Sequence, residues 1–302
     1  MTQNIPTQKT ELQKTEPQKT EPQKTEPQET QVLETKSSGD STIPVRKMGF
    51  DFSNVPKDYM NGNLADSHFF DGLNLLFPEG ERFFMRAVRN GLNKIEDPDL
   101  KQQARGFFGQ ETQHAIEHEK FFDVLEQNGY VFRPRVRKMD NFIIKMRNIL
   151  PQSLCLSITA GAEHLTAVLG ATALVDEDVA KAHPAMRDLI QWHAIEEIEH
   201  KAIAFDVYKA TGGSYPTRVL GYLLALAFIH VTSTHFVKEF LKQDGFSKRE
   251  AKKLLKQSQQ SMLKKHTGLR QSLMAYFKPS FHPNDIDESG LVGDAMNRLG
   301  IV

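Results

Sequence analysis

The sequence predicts an all-α protein, a four-helix bundle with extra C-terminal helices behind a disordered tail. Three observations carry that reading. Strand signals are scarce, while long segments repeat apolar residues at helical spacing. Four such segments are separated by proline or glycine stops, as a bundle requires. Apolar side chains become frequent only from about Phe50 onward.

Residues 1–47 hold a five-residue repeat, Gln8-Lys9-Thr10-Glu11-Leu12 followed by three Gln-Lys-Thr-Glu-Pro copies ending at Pro17, Pro22 and Pro27. Almost nothing there can be buried to offset the entropy of ordering, so a disordered spacer is expected. Its Lys and Glu roughly cancel, which argues against a nucleic-acid arm. Over the whole chain 38 basic residues balance 38 acidic ones, so no global field favours a nucleic-acid partner. Residues 48–302 are expected to form one helical metal-binding domain. The lone Cys155 excludes an internal disulfide and suits a reducing cytoplasm. No secretory signal is visible, and a cytoplasmic location is expected, or a peripheral one at the inner membrane face.

The first helix is predicted to start after Pro78 and to carry Phe83, Phe84, Ala87, Val88 and Leu92. A second opens near Asp97-Pro98 and ends at Asn128-Gly129. The third runs from Phe142 to Val175, with Pro151 as a break or kink. The fourth begins after His183-Pro184 and continues to about Ala210, before Gly212-Gly213. Residues 219–231 are apolar on every face but shorter than the roughly 20 residues that span a bilayer, which suggests a buried helix. The basic run from Lys248 to Arg270 reads as a solvated face. Together, 219–270 could rest weakly on an anionic membrane surface. The stretch after Pro279 carries no signal.

Two Glu-x-x-His motifs stand mid-helix, Glu111/His114 and Glu197/His200. Residues three apart share a helix face and can grip one metal together. Each motif is preceded on the previous helix by a single Glu, Glu81 being 30 residues before Glu111 and Glu163 34 before Glu197. An inward carboxylate is costly unless paired or coordinating. Four carboxylates and two imidazoles can share two ions, the ferritin-like di-iron arrangement. Without thiolates, such a set suits two Fe ions, with Mn as the alternative.

His193 lies one turn before Glu197 on the same stripe and is expected to reach the second metal. His118, one turn after His114, is a weaker candidate. Glu117, Glu119, Glu196 and Glu199 are expected to face elsewhere, although Glu196, four before His200, is the alternative to Glu197 by one residue. His164 should point away from Glu163 into structure. No side chain is assigned a catalytic role. The bland alternative for the whole set is a buried network of ion pairs.

The blocks GERFFMRAVRN, FFGQETQHAIEHEKF, AGAEHLTAVLG and WHAIEEIEHKAIAFDVY resemble a bacterial family described as predicted metal-dependent hydrolases, within the ferritin-like superfamily. The resemblance covers roughly residues 45–280. The ligand order is also similar to that of di-iron p-aminobenzoate N-oxygenases, which carry an extra His where this chain has His193. That similarity implies an oxidoreductase using dioxygen and an electron donor on a small organic substrate; Phe83, Phe84, Phe107 and Phe108 are expected to wall such a centre from water, or else to be plain core. The alternatives are a binuclear metal-dependent hydrolase and a non-catalytic metal-binding bundle. Neither substrate nor oligomeric state follows from these residues.

Overall fold

Asn63 starts the first helix: its side chain accepts the backbone N–H groups of Ala65 and Asp66. The computed structural model describes Met1, residues 31–32 and residues 42–301. Helix α1 (Leu64–Leu92) therefore begins well before Pro78, which the sequence suggested as its start and which lies inside it. An internal proline costs roughly 3 kcal/mol. Burial of Leu73, Leu75 and Leu76 on one side of it, and of Phe83, Ala87 and Val88 on the other, offsets that loss.

Helix α2 (Pro98–Gln127) follows the expected bounds, with Asp97 as the cap and Pro98 in the first turn. Gly129, at φ 86°, ends it. The predicted third segment is two helices, α3 (Arg133–Ile149) and α4 (Gln152–Leu174), parted at Pro151 and starting earlier than expected. After the short α5 (Glu177–Ala180), the fourth segment is also divided, into α6 (Pro184–His200) and α7 (Ile203–Ala210). The interruption falls immediately after His200. Beyond it run α8 (Tyr215–Gln243), α9 (Lys248–Lys265), α10 (Leu269–Ala275) and α11 (Ser289–Leu299).

Helices α1 and α2 form one packed pair and α4 and α6 another; α1 against α4 and α2 against α6 close the ring. Helix α8 lies along both α4 and α1. Glycines make its approach to α4 close: a Cβ on Gly161 would stand 2.6 Å from Tyr222 Cα, and one on Gly221 2.5 Å from the Ser157 carbonyl carbon. Two large apolar clusters fill the bundle, one around Trp192, Phe121 and Phe240, the other around Phe107, Tyr208 and Tyr276, and a small third one of Val237, Leu241, Ala251 and Leu255 joins α8 to α9.

Helices α4 and α8 are both long and apolar enough to cross a membrane. The apolar stretch of α4 is 78% buried inside the bundle, but that of α8 is only 28% buried. The sequence pointed to a helix buried on every face; instead Leu220, Leu223, Leu224 and Val231 are exposed. Neighbouring helices cover only the face that holds Tyr222, Ala225, Phe236 and Phe240.

The expected tail ended at residue 47, yet its last residues belong with the bundle. Ile43 and Val45 lie against α2 at Gly106 and Gly109, where any side chain would collide with them. Next to them β2 (Arg46–Lys47) pairs antiparallel with β1 (Gln31–Val32). Residues 2–30 and 33–41, which hold the repeat, lie outside the described residues.

Candidate metal centre

Glu81 on α1, Glu111 and His114 on α2, Glu163 on α4, and His193, Glu197 and His200 on α6 all point into the ring, and all are buried. One donor atom each from Glu111, His114, Glu197 and His200 fits within a span of 4.8 Å. A second such group joins Glu81, His114 and His193. Glu197 Oε1 stands 3.6 Å from His114 Nδ1 and 3.9 Å from His200 Nε2; Glu111 lies 3.9 Å from His114 and 3.5 Å from His200. Both carboxylates thus sit between the two imidazoles, where a bridging ligand would sit. Glu163 meets only His200, with Oε2 2.8 Å from Nδ1.

More than half of the buried side-chain nitrogen and oxygen atoms without a hydrogen-bond partner among the described residues belong to this set. They are both oxygens of Glu81 and Glu111, Glu163 Oε1, His114 Nδ1, His193 Nε2 and His200 Nε2. Orphaned polar atoms cost roughly 1–3 kcal/mol each, more when charged. Gathering so many around one point is unfavourable unless cations occupy it, so the residues fit a metal pair.

The electrostatics agree. Burial first, and then neighbouring carboxylates, push Glu81 and Glu111 well above the usual range. Burial raises Glu163 to about 7 despite His200 beside it. His200 is raised to about 9: burial opposes its charge, but Glu163 and Glu197 outweigh burial. Glu197 falls below its usual value because His200, His193 and the Thr166 hydroxyl together outweigh its burial. His114 is driven well down by burial and by the neighbouring imidazoles.

His193 Nε2 stands 2.9 Å from Glu197 Oε1, its neighbour on the stripe, and its donor atom also groups with those of Glu81 and His114. Its ring stacks on His114 at 4.3 Å and 12°. His118 is tied up at both nitrogens, Nδ1 at 2.6 Å from Asn74 Oδ1 and Nε2 at 2.6 Å from His193 Nδ1. If Asn74 Oδ1 accepts from His118, His118 Nε2 accepts from His193 Nδ1–H, and the lone pair of His193 Nε2 faces the centre.

Glu196 was expected to face elsewhere, and it does not. It is wholly buried, with Oε2 3.0 Å from His114 Nε2 and Oε1 accepting from Trp192 Nε1 at 2.9 Å and from Arg46 at 3.2 Å. Such a carboxylate fixes the tautomer that leaves His114 Nδ1 free. Arg46 also pairs with Glu199. The spacing from Trp192 to Glu196, one helical turn, was the only local signal; nothing local pointed to Arg46. Glu117 and Glu119 do face away, to Lys120 and Arg82. His164 is structural as expected, its Nε2 3.1 Å from Ser272 O.

Of the expected aromatic walls, Phe83 and Phe84 line a cavity of about 290 Å³ beside the centre. Phe107 packs edge-on against His200 at 5.0 Å, and Phe108 lies under Arg89 instead. Phe77, Thr166 and Ile229 border both that cavity and a smaller one reaching His118 and His193. The Thr166 hydroxyl donates to Glu197 Oε2, which links the cavity wall to the ligand set.

No curated protein and no solved structure in the comparisons matches the chain. A family model described as predicted metal-dependent hydrolase matches residues 44–287. Its description agrees with the buried carboxylate–imidazole cluster and fits the hydrolase alternative better than the oxygenase reading. The match spans most of the sequence, starts at the segment that carries Arg46 and includes every residue of the centre: the chain belongs to the family of predicted metal-dependent hydrolases.

Proposed function

We propose that the chain is a metal-dependent hydrolase with a two-metal, ferritin-like carboxylate–imidazole centre, acting on a predominantly apolar substrate. The single observation that carries this reading is the convergence of unpartnered buried donors from Glu81, Glu111, His114, Glu163, His193 and His200. With Glu197 between the imidazoles, the donor chemistry favours iron, or manganese, over zinc or copper(I). Bound metal ions would supply Lewis-acid polarisation and a water of lowered pKa.

The chain's own residues do the rest. Glu196 and Arg46 hold His114 in one tautomer, and Asn74 with His118 does the same for His193. Thr166 orients Glu197 at the boundary of the apolar cavity. Leu76, Phe77, Phe83 and Ile229 bind the apolar part of a substrate and exclude bulk water from that side.

One observation favours a second reading, oxidation of an organic substrate by dioxygen with an external electron donor. The larger cavity is lined almost wholly by carbon, a surrounding better suited to shielding a reactive centre than to delivering water. The two are separated by metal analysis and turnover. Protein reconstituted with iron, manganese or zinc is assayed against p-nitrophenyl acyl esters and, separately, for oxygen uptake with a reductant. Metal-dependent ester turnover without oxygen uptake supports hydrolysis; oxygen uptake without ester turnover supports oxidation. Absence of stoichiometric metal under every condition overturns both.

A further inference from the structure

The larger cavity opens where α3 and α8 meet. Phe142 of α3 stacks on Phe228 of α8 at 5.8 Å, and both line it. Around that opening the surface is apolar. Leu220, Leu223, Leu224 and Val231 form one stripe along α8, and Phe142 and Ile149 stand out from α3; all are 41–65% exposed. A monomer in water rarely leaves such a contiguous patch uncovered. Among the described residues, nothing packs over it.

Cations interleave with this patch. Lys138, Phe142, Lys145 and Ile149 follow one another at four-, three- and four-residue steps, a single helical stripe, and all four are exposed. Alternating exposed lysine and apolar side chains on one helix face match an anionic lipid surface: apolar groups enter the acyl boundary while the lysines meet phosphates. A protein partner would offer no reason for the adjoining cavity. That cavity, at about 290 Å³, is near the lower end of ligand-pocket size, roughly 300–1,000 Å³. Of the side chains lining it, only Thr166 carries an O–H or N–H group, and Thr166 contacts the candidate ligand Glu197.

We infer that the α3–α8 face docks on an anionic phospholipid surface and that the cavity takes a single aliphatic chain from it. The polar end of that amphiphile then lies toward Thr166 and the metal centre. This substrate class rests on the metal-enzyme reading above; the docking does not.

The test uses the full chain and sedimentation with vesicles of phosphatidylcholine, with or without phosphatidylglycerol. Binding to the anionic vesicles that weakens with salt is expected. Lys138→Gln and Lys145→Gln should each weaken it about fivefold, the loss expected for one cation at such a surface. The triple variant Phe142→Ser/Leu223→Ser/Val231→Ser should abolish it. No binding by the unaltered chain overturns the docking. So does a solution dimer that the triple variant splits, since a second copy would then cover the face.

Cavity occupancy is read by fluorescence of cis-parinaric acid, a polyene fatty acid, with dodecanoic acid as competitor and Ile158→Trp as a block. Saturable, competed binding that the block removes is expected; binding unaffected by the block overturns the cavity assignment. Metal content is measured on the same samples. Vesicle and fatty-acid binding by protein that takes up no stoichiometric metal under any condition would leave the docking and the cavity assignment standing while removing the metal-enzyme reading.

Discussion

The ring of His193 lies flat on that of His114, 4.3 Å away, and so joins the half of the centre that holds Glu81. On the helix, His193 shares its stripe with Glu197 and His200, and its Nε2 stands 2.9 Å from Glu197 Oε1, so the ring lies between that carboxylate and the Glu81–His114 pair.

His193→Ala is therefore expected to weaken the ion held by Glu81 and His114, leaving the one beside Glu163 and His200. The loss should exceed the roughly 10–100-fold typical of an outer partner. Asn74→Ala, which removes only the far end of the Asn74–His118–His193 chain, should stay within that range. Titration with Mn followed by paramagnetic resonance reads both. A metal-loaded structure with both His193 nitrogens beyond about 3 Å from either ion would reject ligation.

Glu111→Ala and Glu197→Ala should each remove most bound metal, because both carboxylates lie between the two imidazoles. Elemental analysis decides it. Two ions per chain retained in both variants would be incompatible with a bridging role.

Two truncations should behave differently. Removing residues 2–41 is expected to leave metal content unchanged and the thermal midpoint within a few degrees, since the repeat has almost no side chains to bury. Removing residues 2–47 also takes Arg46 from the buried Glu196, which a broken buried ion pair prices at roughly 3–5 kcal/mol. For a domain of this size that corresponds to roughly 6–20 °C. Arg46→Met, which keeps the segment, should reproduce the loss of metal affinity if Glu196 needs its cation to orient His114. Equal midpoints for the two truncations would show that the segment holds nothing.

Metal-free protein should lose stability as pH rises from 7 to 9. Glu196, raised by burial to about 8, and His200, raised to about 9 by Glu163 and Glu197 against its burial, keep protons in the folded chain that the unfolded chain has released. The folded state binds more protons in that window, so stability is present below it and declines through it, by about 2 kcal/mol or more. Metal affinity should rise over the same window, because His200 and Glu163 bind as deprotonated donors. Calorimetry of stripped and loaded protein at several pH values tests both signs; a stripped protein that gains stability toward pH 9 contradicts this picture.

Gly161→Ala should destabilise the α4–α8 contact by roughly 1–3 kcal/mol, since the new methyl group meets the Tyr222 backbone at 2.6 Å. Chemical denaturation reads the change. Gly245→Ala, at φ 93° in open space, would instead show only the strain of a left-handed turn.

Local sequence was enough for the helical class, for the cap at Asp97 and the first-turn Pro184, for the break at Pro151 and for the inward Glu and His residues, because periodicity and end signals act within a few turns. It misjudged the start of α1, because burial of Leu73, Leu75 and Leu76 from other elements outweighs the local cost of Pro78. Three features came only from tertiary structure: Arg46 reaching Glu196 across 150 residues, the stacking of His193 on His114 beside Glu81, and the uncovered face of α8. Each depends on which helix lies beside which, and at what angle. Sequence periodicity says which face of a helix turns inward. What that face meets is set by packing between segments far apart along the chain.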